Sequence, residues 1–234
     1  MNHIVGLSGG KDSTAMALRL AEVEPRDYTY ICTPTGHELP EMEAHWSYLE
    51  RLLGKPLVRI TNKTLDWWIK EFNALPNWRQ RWCTRLLKIE PTIAYIKAHQ
   101  PAVLYVGLRA DEELREGIYS NDVISDFPLR RWGWGIEDVW SYLKSSGMKM
   151  PVRTDCAECF FQRIDEWRSL YFNHRPEYDR AQGYEELTNH TFRSSSRDSY
   201  PAGLSEMRKV FDTQGMQLPL LEDEPVESCR VCTL

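Results

Sequence analysis

A chain of 234 residues, 42% of them hydrophobic, with nine Trp and eleven Tyr, can bury one large core, alone or with a smaller appendage. It has no run of eighteen apolar residues and no basic-then-apolar leader, so we expect a soluble, cytoplasmic protein with no membrane segment. Its net charge of −5 argues against a protein that coats nucleic acid in general.

The first predicted elements are a strand at 3–7, a glycine-rich loop, SGGKDS, at 8–13, and a helix with apolar periodicity. Gly9 and Gly10 allow the backbone to approach an anion at the positive end of the helix dipole. Lys11 adds charge, and Ser8 and Ser13 add hydroxyl donors. We therefore predict a phosphate-binding loop. The alternative is a turn that only connects strand and helix, which would need neither the serines nor Asp12.

The remaining predicted elements alternate between strand and helix up to about residue 150. Strands are predicted at 28–33, 57–60, 103–108 and 123–124, and helices at 41–53, 65–72, 86–99 and 136–144. Such alternation predicts an α/β fold with a doubly wound, mostly parallel sheet. The loops after the strands at 3–7, 28–33 and 103–108 should then meet in one crevice.

Two domains are predicted, a nucleotide-binding α/β domain at 1–150 and an extension at 151–234. The extension contains helical patterns and cysteine pairs without clear strands. Its apolar residues at helical spacing are more typical of core packing than of a base-stacking platform; they are Phe160, Phe161, Ile164, Trp167, Leu170 and Tyr171.

Basic residues cluster at 79–88 and at 130–131, where they could either hold anions or cover a solvated helix face. After the second strand, His37 could be a substrate contact or a solvated loop residue. Glu41 could border a ligand or simply suit the first turn of a helix.

The cysteines form two C-x-x-C pairs, Cys156 with Cys159 and Cys229 with Cys232. Two such pairs can complete the tetrahedral site of a structural zinc ion. A redox-active C-x-x-C pair is another alternative. Such a pair usually follows a strand directly in a thioredoxin-like unit, and Cys156 does not. Cys32 is interpreted as a buried strand residue.

The loop SGGKDS fits neither the Walker A pattern nor the dinucleotide G-x-G-x-x-G pattern. It resembles the PP-loop of the ATP pyrophosphatase superfamily, also described as adenine nucleotide alpha hydrolase-like. Members of that superfamily cleave ATP between the α- and β-phosphates, hold the pyrophosphate on this loop and pass AMP to an acceptor. The resemblance thus implies ATP with Mg²⁺, which Asp12 would help to place.

Further blocks resemble the PAPS reductase-like family within this superfamily, above all its members encoded in phage genomes. They are a TG-x-x-x-x-E segment at 35–41, a C-x-x-x-x-K-I-E-P block at 83–91, a G-x-R-x-x-E block at 107–112 and a closing segment at 127–143. Catalysis is assigned to Lys11, Asp12 and Arg109. Nucleotide contacts are assigned to Ser8, Gly9, Gly10, Lys11, Asp12, Ser13, Gly36, Arg81, Arg85, Lys88, Gly107 and Arg109.

The chain departs from true PAPS reductases, which usually have a degraded phosphate loop and a nucleophilic Cys in a C-terminal ECG-[I/L]-H tail. Here the loop is intact, and the chain ends ESCRVCTL. We therefore expect ATP cleavage and adenylation of an acceptor, followed by sulfur transfer to a nucleotide or nucleic acid. The alternatives are reduction of a sulfonucleotide (PAPS or APS) and a non-catalytic nucleotide-binding partner protein.

The family resemblance also offers an iron–sulfur alternative to zinc. In APS reductases, a Cys-Cys before the K-V-E-P block and a later C-x-x-C bind a [4Fe–4S] cluster. Cys83 matches the second Cys of that pair, Trp82 replaces the first, and Cys156 and Cys159 match the later pair. The tail could add Cys229 or Cys232. Expected partners are a small-molecule nucleotide, then a nucleic acid, a sulfur-donor protein or a second copy in a homodimer.

Overall fold

The computed structural model describes residues 1–112, 115, 123–196 and 200–216. Five strands form one sheet in the order β3-β2-β1-β4-β5, and every neighbouring pair is parallel. The strands are β1 Asn2–Gly6, β2 Tyr28–Cys32, β3 Leu57–Arg59, β4 Ala102–Tyr105 and β5 Ile124–Asp126. The predicted parallel α/β sheet is confirmed. The strand order reverses at β1, so the crevice between β1 and β4 is the expected ligand site.

Ten α-helical segments surround or follow the sheet in the described residues. They are α1 Lys11–Val23, α2 Pro40–Leu53, α3 Leu65–Phe72, α4 Trp82–Thr84, α5 Glu90–Ala98, α6 Pro128–Arg131, α7 Ile136–Ser145, α8 Ile164–Asn173, α9 Arg175–Thr188 and α10 Leu204–Gln214. Within these described parts, no helix is both long and apolar enough to span a bilayer.

The helix predicted at 86–99 begins earlier and is not α-helical throughout. A π-helical segment, Arg85–Ile89, joins α4 to α5, and the Glu90 N–H bonds to the Arg85 carbonyl five residues back. Pro91 follows directly and has no N–H to continue the ordinary ladder. The wider turn therefore lies next to the position where the proline interrupts regular hydrogen bonding.

Both faces of the sheet are covered, and neighbouring side chains of β1 belong to the cores on opposite faces. Val5 belongs to a buried cluster with residues of α1 and α2, including Met16 and Trp46. The adjacent Ile4 belongs to another cluster, with Ile96 of α5. Opposite orientation of neighbouring side chains in a strand explains this division. The buried position of Cys32, 1% exposed, agrees with its prediction as a core strand residue.

A further buried cluster joins the extension to the α/β part. Trp167, Tyr178 and Phe211 from the extension pack in the same cluster as Leu65 and Ile69 of α3. The predicted core role of 160–171 is seen, although Phe160 and Phe161 precede α8. A domain boundary at 150 stays a prediction, since this cluster contains residues from both sides of it.

Candidate active site

The loop between β1 and α1 is held in shape by its own polar groups. Ser8 Oγ lies 3.0 Å from Ser13 Oγ, and the Ser13 hydroxyl donates to the Gly10 carbonyl at 3.0 Å. Gly10 is the N-cap of α1 and has no side chain to occupy the unpaired N–H groups there. The first turn of α1 can therefore direct its backbone donors at an anion.

Two glycines are required by close packing around this loop. Gly9 has φ +86°, and a Cβ there would lie 2.7 Å from Trp46 Nε1, which donates to the Ser8 carbonyl. A Cβ on Gly107 would lie 3.0 Å from the Ser13 backbone nitrogen. The chain leaving β4 therefore passes directly against the start of α1, so the structure brings together the loops after β1 and β4.

Three charged side chains meet beside the loop. Lys11 Nζ and Arg109 Nη1 lie 3.2 Å and 3.0 Å from the same atom, Asp12 Oδ2. Lys11 and Arg109 are each only 6% exposed. Burial lowers the pKa of Arg109, but attraction to Asp12 and Glu112 outweighs it, so this pKa lies above its usual value. The Arg109 guanidinium thus stays charged beside the loop.

Asp12 has a second oxygen that suits a hard cation. Its Oδ1 atom is buried and has no hydrogen-bond partner among the described residues. A buried carboxylate oxygen without a donor is unfavourable alone, and it is the ligand type that Mg²⁺ prefers. The residues present therefore fit the predicted Mg²⁺, with Asp12 as the protein ligand.

A cleft opens between the carboxyl ends of β1, β2 and β4, beside the loop. Its lining includes Gly10, Asp12, Thr33, Gly107 and Glu112. The predicted convergence of the three loops is thus observed. Gly36, a predicted nucleotide contact, is not among the residues that line this cleft. It lies on the β2 exit with φ +81° and packs tightly against Thr64, the residue before α3.

The basic residues predicted from the 83–91 block lie near the cysteines. The Arg81 guanidinium sits 5.4 Å from the centre of the Phe161 ring, and Lys88 lowers the pKa of Cys83. Arg85 is exposed and pairs with Glu90 at 3.0 Å. Their predicted contacts with the nucleotide remain predictions.

Three cysteines of the described chain are neighbours. The Cys159 N–H donates to the Cys156 carbonyl at 3.2 Å, and the charge of Cys156 contributes to the raised pKa of Cys83. Burial raises the pKa of Cys83 to about 11, and a side-chain hydrogen bond to Cys156 together with burial raises that of Cys159. Thiols are the ligand type that a soft metal centre prefers, and a bound metal would stabilise their thiolates.

Within the described residues, no group of three or more His, Cys, Asp or Glu side chains is placed so that it could hold a metal ion. Cys229 and Cys232, the predicted second pair, lie outside the described residues.

Sequence reasoning missed how the C-x-x-C loop is anchored. The Ala157 N–H donates to the His37 carbonyl at 2.7 Å, and His37 Nδ1 lies 2.8 Å from Glu158 Oε2. Glu158 is fully buried and also accepts from Arg180 at 2.7 Å. His37 is therefore neither solvated nor placed in the cleft lining. Its partner lies 121 residues away, and no local pattern reveals such a pair.

The same loop also reaches the phosphate loop. Thr154 Oγ1 lies 3.8 Å from the position that a Cβ on Gly10 would take. The cysteine-bearing segment therefore contacts the β2 exit through Ala157 and approaches the loop after β1 at Thr154.

Comparison with known families agrees with this geometry. Residues 2–152 match the phosphoadenosine phosphosulfate reductase domain, and the chain belongs to that family. The membership predicted from SGGKDS and the blocks that follow it is confirmed.

Two uncharacterised proteins of Methanocaldococcus jannaschii are similar in sequence. MJ0066 is 25% identical over 60% of this chain, and MJ0973 is 26% identical over 88% of it. The chain spans only 31% and 54% of their respective lengths. The expected likeness to phage-encoded members stays a prediction.

Two solved structures share the fold. A PAPS reductase from Candida auris, in a phosphate complex, superposes with TM-score 0.51 at 17% identity, covering 64% of this chain and 75% of that one. The U34-tRNA thiolase NcsA from Methanococcus maripaludis, with its [4Fe-4S] cluster, gives TM-score 0.50 at 16% identity, covering 88% and 80%. At these identities the likeness establishes the fold alone.

Proposed function

We propose that this protein is a PP-loop ATP pyrophosphatase that adenylates an acceptor for sulfur transfer to a nucleotide or nucleic acid. The observation that carries the proposal is the charged triad at an intact loop, in which buried Lys11 and Arg109 both pair with Asp12. A family member that only held a sulfonucleotide would have no need for this arrangement around a leaving pyrophosphate.

In this mechanism the backbone N–H groups at Gly9 and Gly10, with Lys11 and the two serines, hold the β- and γ-phosphates. An acceptor oxygen attacks the α-phosphorus, and the bond from that phosphorus to the bridging oxygen breaks. Pyrophosphate leaves with the electron pair. Lys11 and Arg109 stabilise the charge that develops on it, since both cations are already held in place before the reaction. Mg²⁺ bound at Asp12 would neutralise part of the triphosphate charge.

The position of the cysteines supports sulfur transfer as the second step. Thr154, two residues before Cys156, lies beside Gly10 of the phosphate loop, so an adenylated acceptor would form in the neighbourhood of the C-x-x-C segment. An iron–sulfur cluster on Cys83, Cys156 and Cys159 would supply a site that binds sulfur. In this region, Lys88 and Arg81 provide positive charge near Cys83 and Phe161.

The test is cleavage of ATP labelled in the α- and γ-phosphates. We expect AMP and pyrophosphate, and Lys11→Ala should slow their formation roughly 100- to 1000-fold. Lys144→Ala, on the exposed face of α7, is the matched control and should leave the rate unchanged. Formation of ADP would refute the proposal. Tight ATP binding without turnover, unaffected by Lys11→Ala, would favour the non-catalytic alternative.

The family match itself favours sulfonucleotide reduction as the second candidate. Thioredoxin-dependent release of sulfite from PAPS would support it. Loss of that activity in Cys229→Ser or Cys232→Ser would identify the nucleophile, which as a thiolate must attack sulfur.

A further inference from the structure

Aromatic side chains form a continuous row along α3 and into α4. Ring centres are 4.7 Å apart for Trp67 and Trp68, 5.0 Å for Trp68 and Phe72, and 5.4 Å for Phe72 and Trp82. We call these four residues the aromatic row. Trp78, in the loop between the helices, is 64% exposed, and Phe72 is 43% exposed. Trp68 and Trp82 partly pack on the core, but Phe72 and Trp78 offer ring surface to solvent.

Positive charge accompanies these rings. Lys63 Nζ lies 3.1 Å from the centre of the Trp67 ring, and the Arg79 guanidinium lies 4.7 Å from that of Trp78. In the part of the chain that the structure describes, neither cation pairs with a carboxylate. Residues 63–90 contain six basic and three acidic side chains, in a chain of net charge −5. The local charge is thus opposite to that of the whole protein.

The row runs between the two parts of the candidate active site. At one end, the Leu65 N–H donates to the Thr35 carbonyl at 2.8 Å, which holds the start of α3 on the β2 exit. At the other end, Trp82 directly precedes Cys83. An extended ligand that lies along the aromatic row would therefore pass beside the β2 exit, next to the predicted nucleotide site, and end near Cys83.

A cleft at the cysteine end has the composition of a nucleotide contact. It is lined by Phe72, Ala74, Gln80, Arg81, Trp82 and Arg85. The rings can stack on a base, the carboxamide can bond to a base edge, and the guanidinium groups can bind phosphate.

We infer that the aromatic row, with Trp78 and its neighbouring cations, binds a single-stranded nucleic acid, and that this strand is the acceptor. The inference rests on the proposed function for its chemistry, but the binding site stands on its own residues. Stacking tolerates any base, and a duplex hides its base faces, so unpaired segments are the preferred ligand. A protein partner suits the face less, because Lys63 and Arg79, which lie against the rings, do not pair with carboxylates in the described part of the chain.

The test is fluorescence anisotropy of a labelled single strand of about 16 nucleotides, without ATP, together with a duplex of equal length. We expect the single strand to bind more tightly than the duplex. Phe72→Ala and Trp78→Ala should each weaken binding roughly tenfold. Phe172→Ala is the matched control, since Phe172 is also on a helix and 37% exposed. Arg79→Ala should reduce the slope of the logarithm of the binding constant against the logarithm of the salt concentration by about one.

Equal effects of Phe72→Ala and Phe172→Ala, or no binding of the single strand by the wild type, would overturn the inference. A protein that binds this face while the strand does not would overturn it as well. Since no ATP is present, the outcome is independent of turnover. ATP cleavage without strand binding would defeat this inference alone, whereas strand binding with release of ADP would defeat the proposed function alone.

Discussion

Gly107 carries one of the strictest packing demands among the single residues of this site. It lies where the chain leaves β4, and its backbone passes against Asp12 and Ser13 at the start of α1. The atoms that a side chain would meet belong to backbone, so they cannot move aside as a flexible side chain would. This one contact holds two halves of the phosphate site together.

Gly107→Ala should therefore destabilise the fold and weaken ATP binding. The added methyl would lie 3.0 to 3.1 Å from backbone atoms of Asp12 and Ser13, and overpacking of this kind costs about 1–3 kcal/mol. Urea unfolding would give the loss in stability, and calorimetric titration would give the loss in affinity. Gly183→Ala is the control, because nothing lies within 4 Å of its added Cβ in α9. It should be neutral, or stabilising by up to about 1 kcal/mol. Equal losses in both variants would contradict the argument.

Residue types around SGGKDS were enough to predict a glycine-rich junction between a strand and a helix, and the structure has β1 and α1 on its two sides. Phosphate binding by this loop stays a prediction. Lys11, Asp12 and Arg109 are brought together as the motifs suggested. The buried pair of His37 and Glu158 could not be predicted. It depends on a contact across the fold, and each residue alone is typical of a solvated position.

Among the elements, the C-x-x-C loop and the π-helical segment both bear on the cysteines. Cys83 lies in α4, two residues before the π-helical segment Arg85–Ile89, and the charge of Cys156 in the C-x-x-C loop acts on its pKa. The sequence predicted a plain helix here, because periodicity does not distinguish a π-turn from an α-turn. Pro91 was the visible signal of the irregularity.

We expect the protein to contain iron, bound between α4 and the C-x-x-C loop, when it is purified without oxygen. The protein should contain iron and acid-labile sulfide rather than zinc, and Cys83→Ser, Cys156→Ser and Cys159→Ser should each lower the iron content. Cys32→Ala is the control. Its thiol is buried in β2, and desolvation raises its pKa to about 12, so it cannot readily act as a ligand. Stoichiometric zinc without iron would show that the tail cysteines complete a mononuclear site instead.

For the molecule as a whole, the order of strands was predicted only in outline. Alternating elements indicate a parallel sheet, but the sequence says nothing of which strand neighbours which. The buried cluster that joins α3 to the extension was also not predictable, since its members are ordinary apolar residues far apart in the chain. An extension packed in this way should unfold together with the sheet.

Stability of the whole chain should therefore fall as the pH rises, through one buried group in the extension. Burial raises the pKa of Glu185 in α9 to about 7, although the N–H groups of Leu204 and Phe192 bond to its carboxyl group. The stabilisation that protonated Glu185 gives the fold is complete below the ordinary pKa of a glutamate, and it is lost as the pH rises through about 7. The loss is on the order of 3 kcal/mol.

Urea unfolding between about pH 5 and pH 8 measures this slope. Glu185→Gln should remove it, whereas Glu186→Gln, on the exposed face of the same helix, should keep most of it, because the charge of Glu186 is the smallest of the causes that raise the pKa of Glu185. Burial lowers the pKa of His45, which gives the opposite slope, so the difference between wild type and variant isolates Glu185. Two separate unfolding transitions, with only one of them sensitive to pH, would show that the parts do not share their stability.

The approach of Thr154 to the loop at Gly10 has a thermodynamic consequence for the proposed function. Where the binding of one ligand alters the affinity for another, the factor is the same in both directions. If a metal on the thiols strengthens the hold on a triphosphate, the triphosphate must strengthen the retention of that metal by an equal factor.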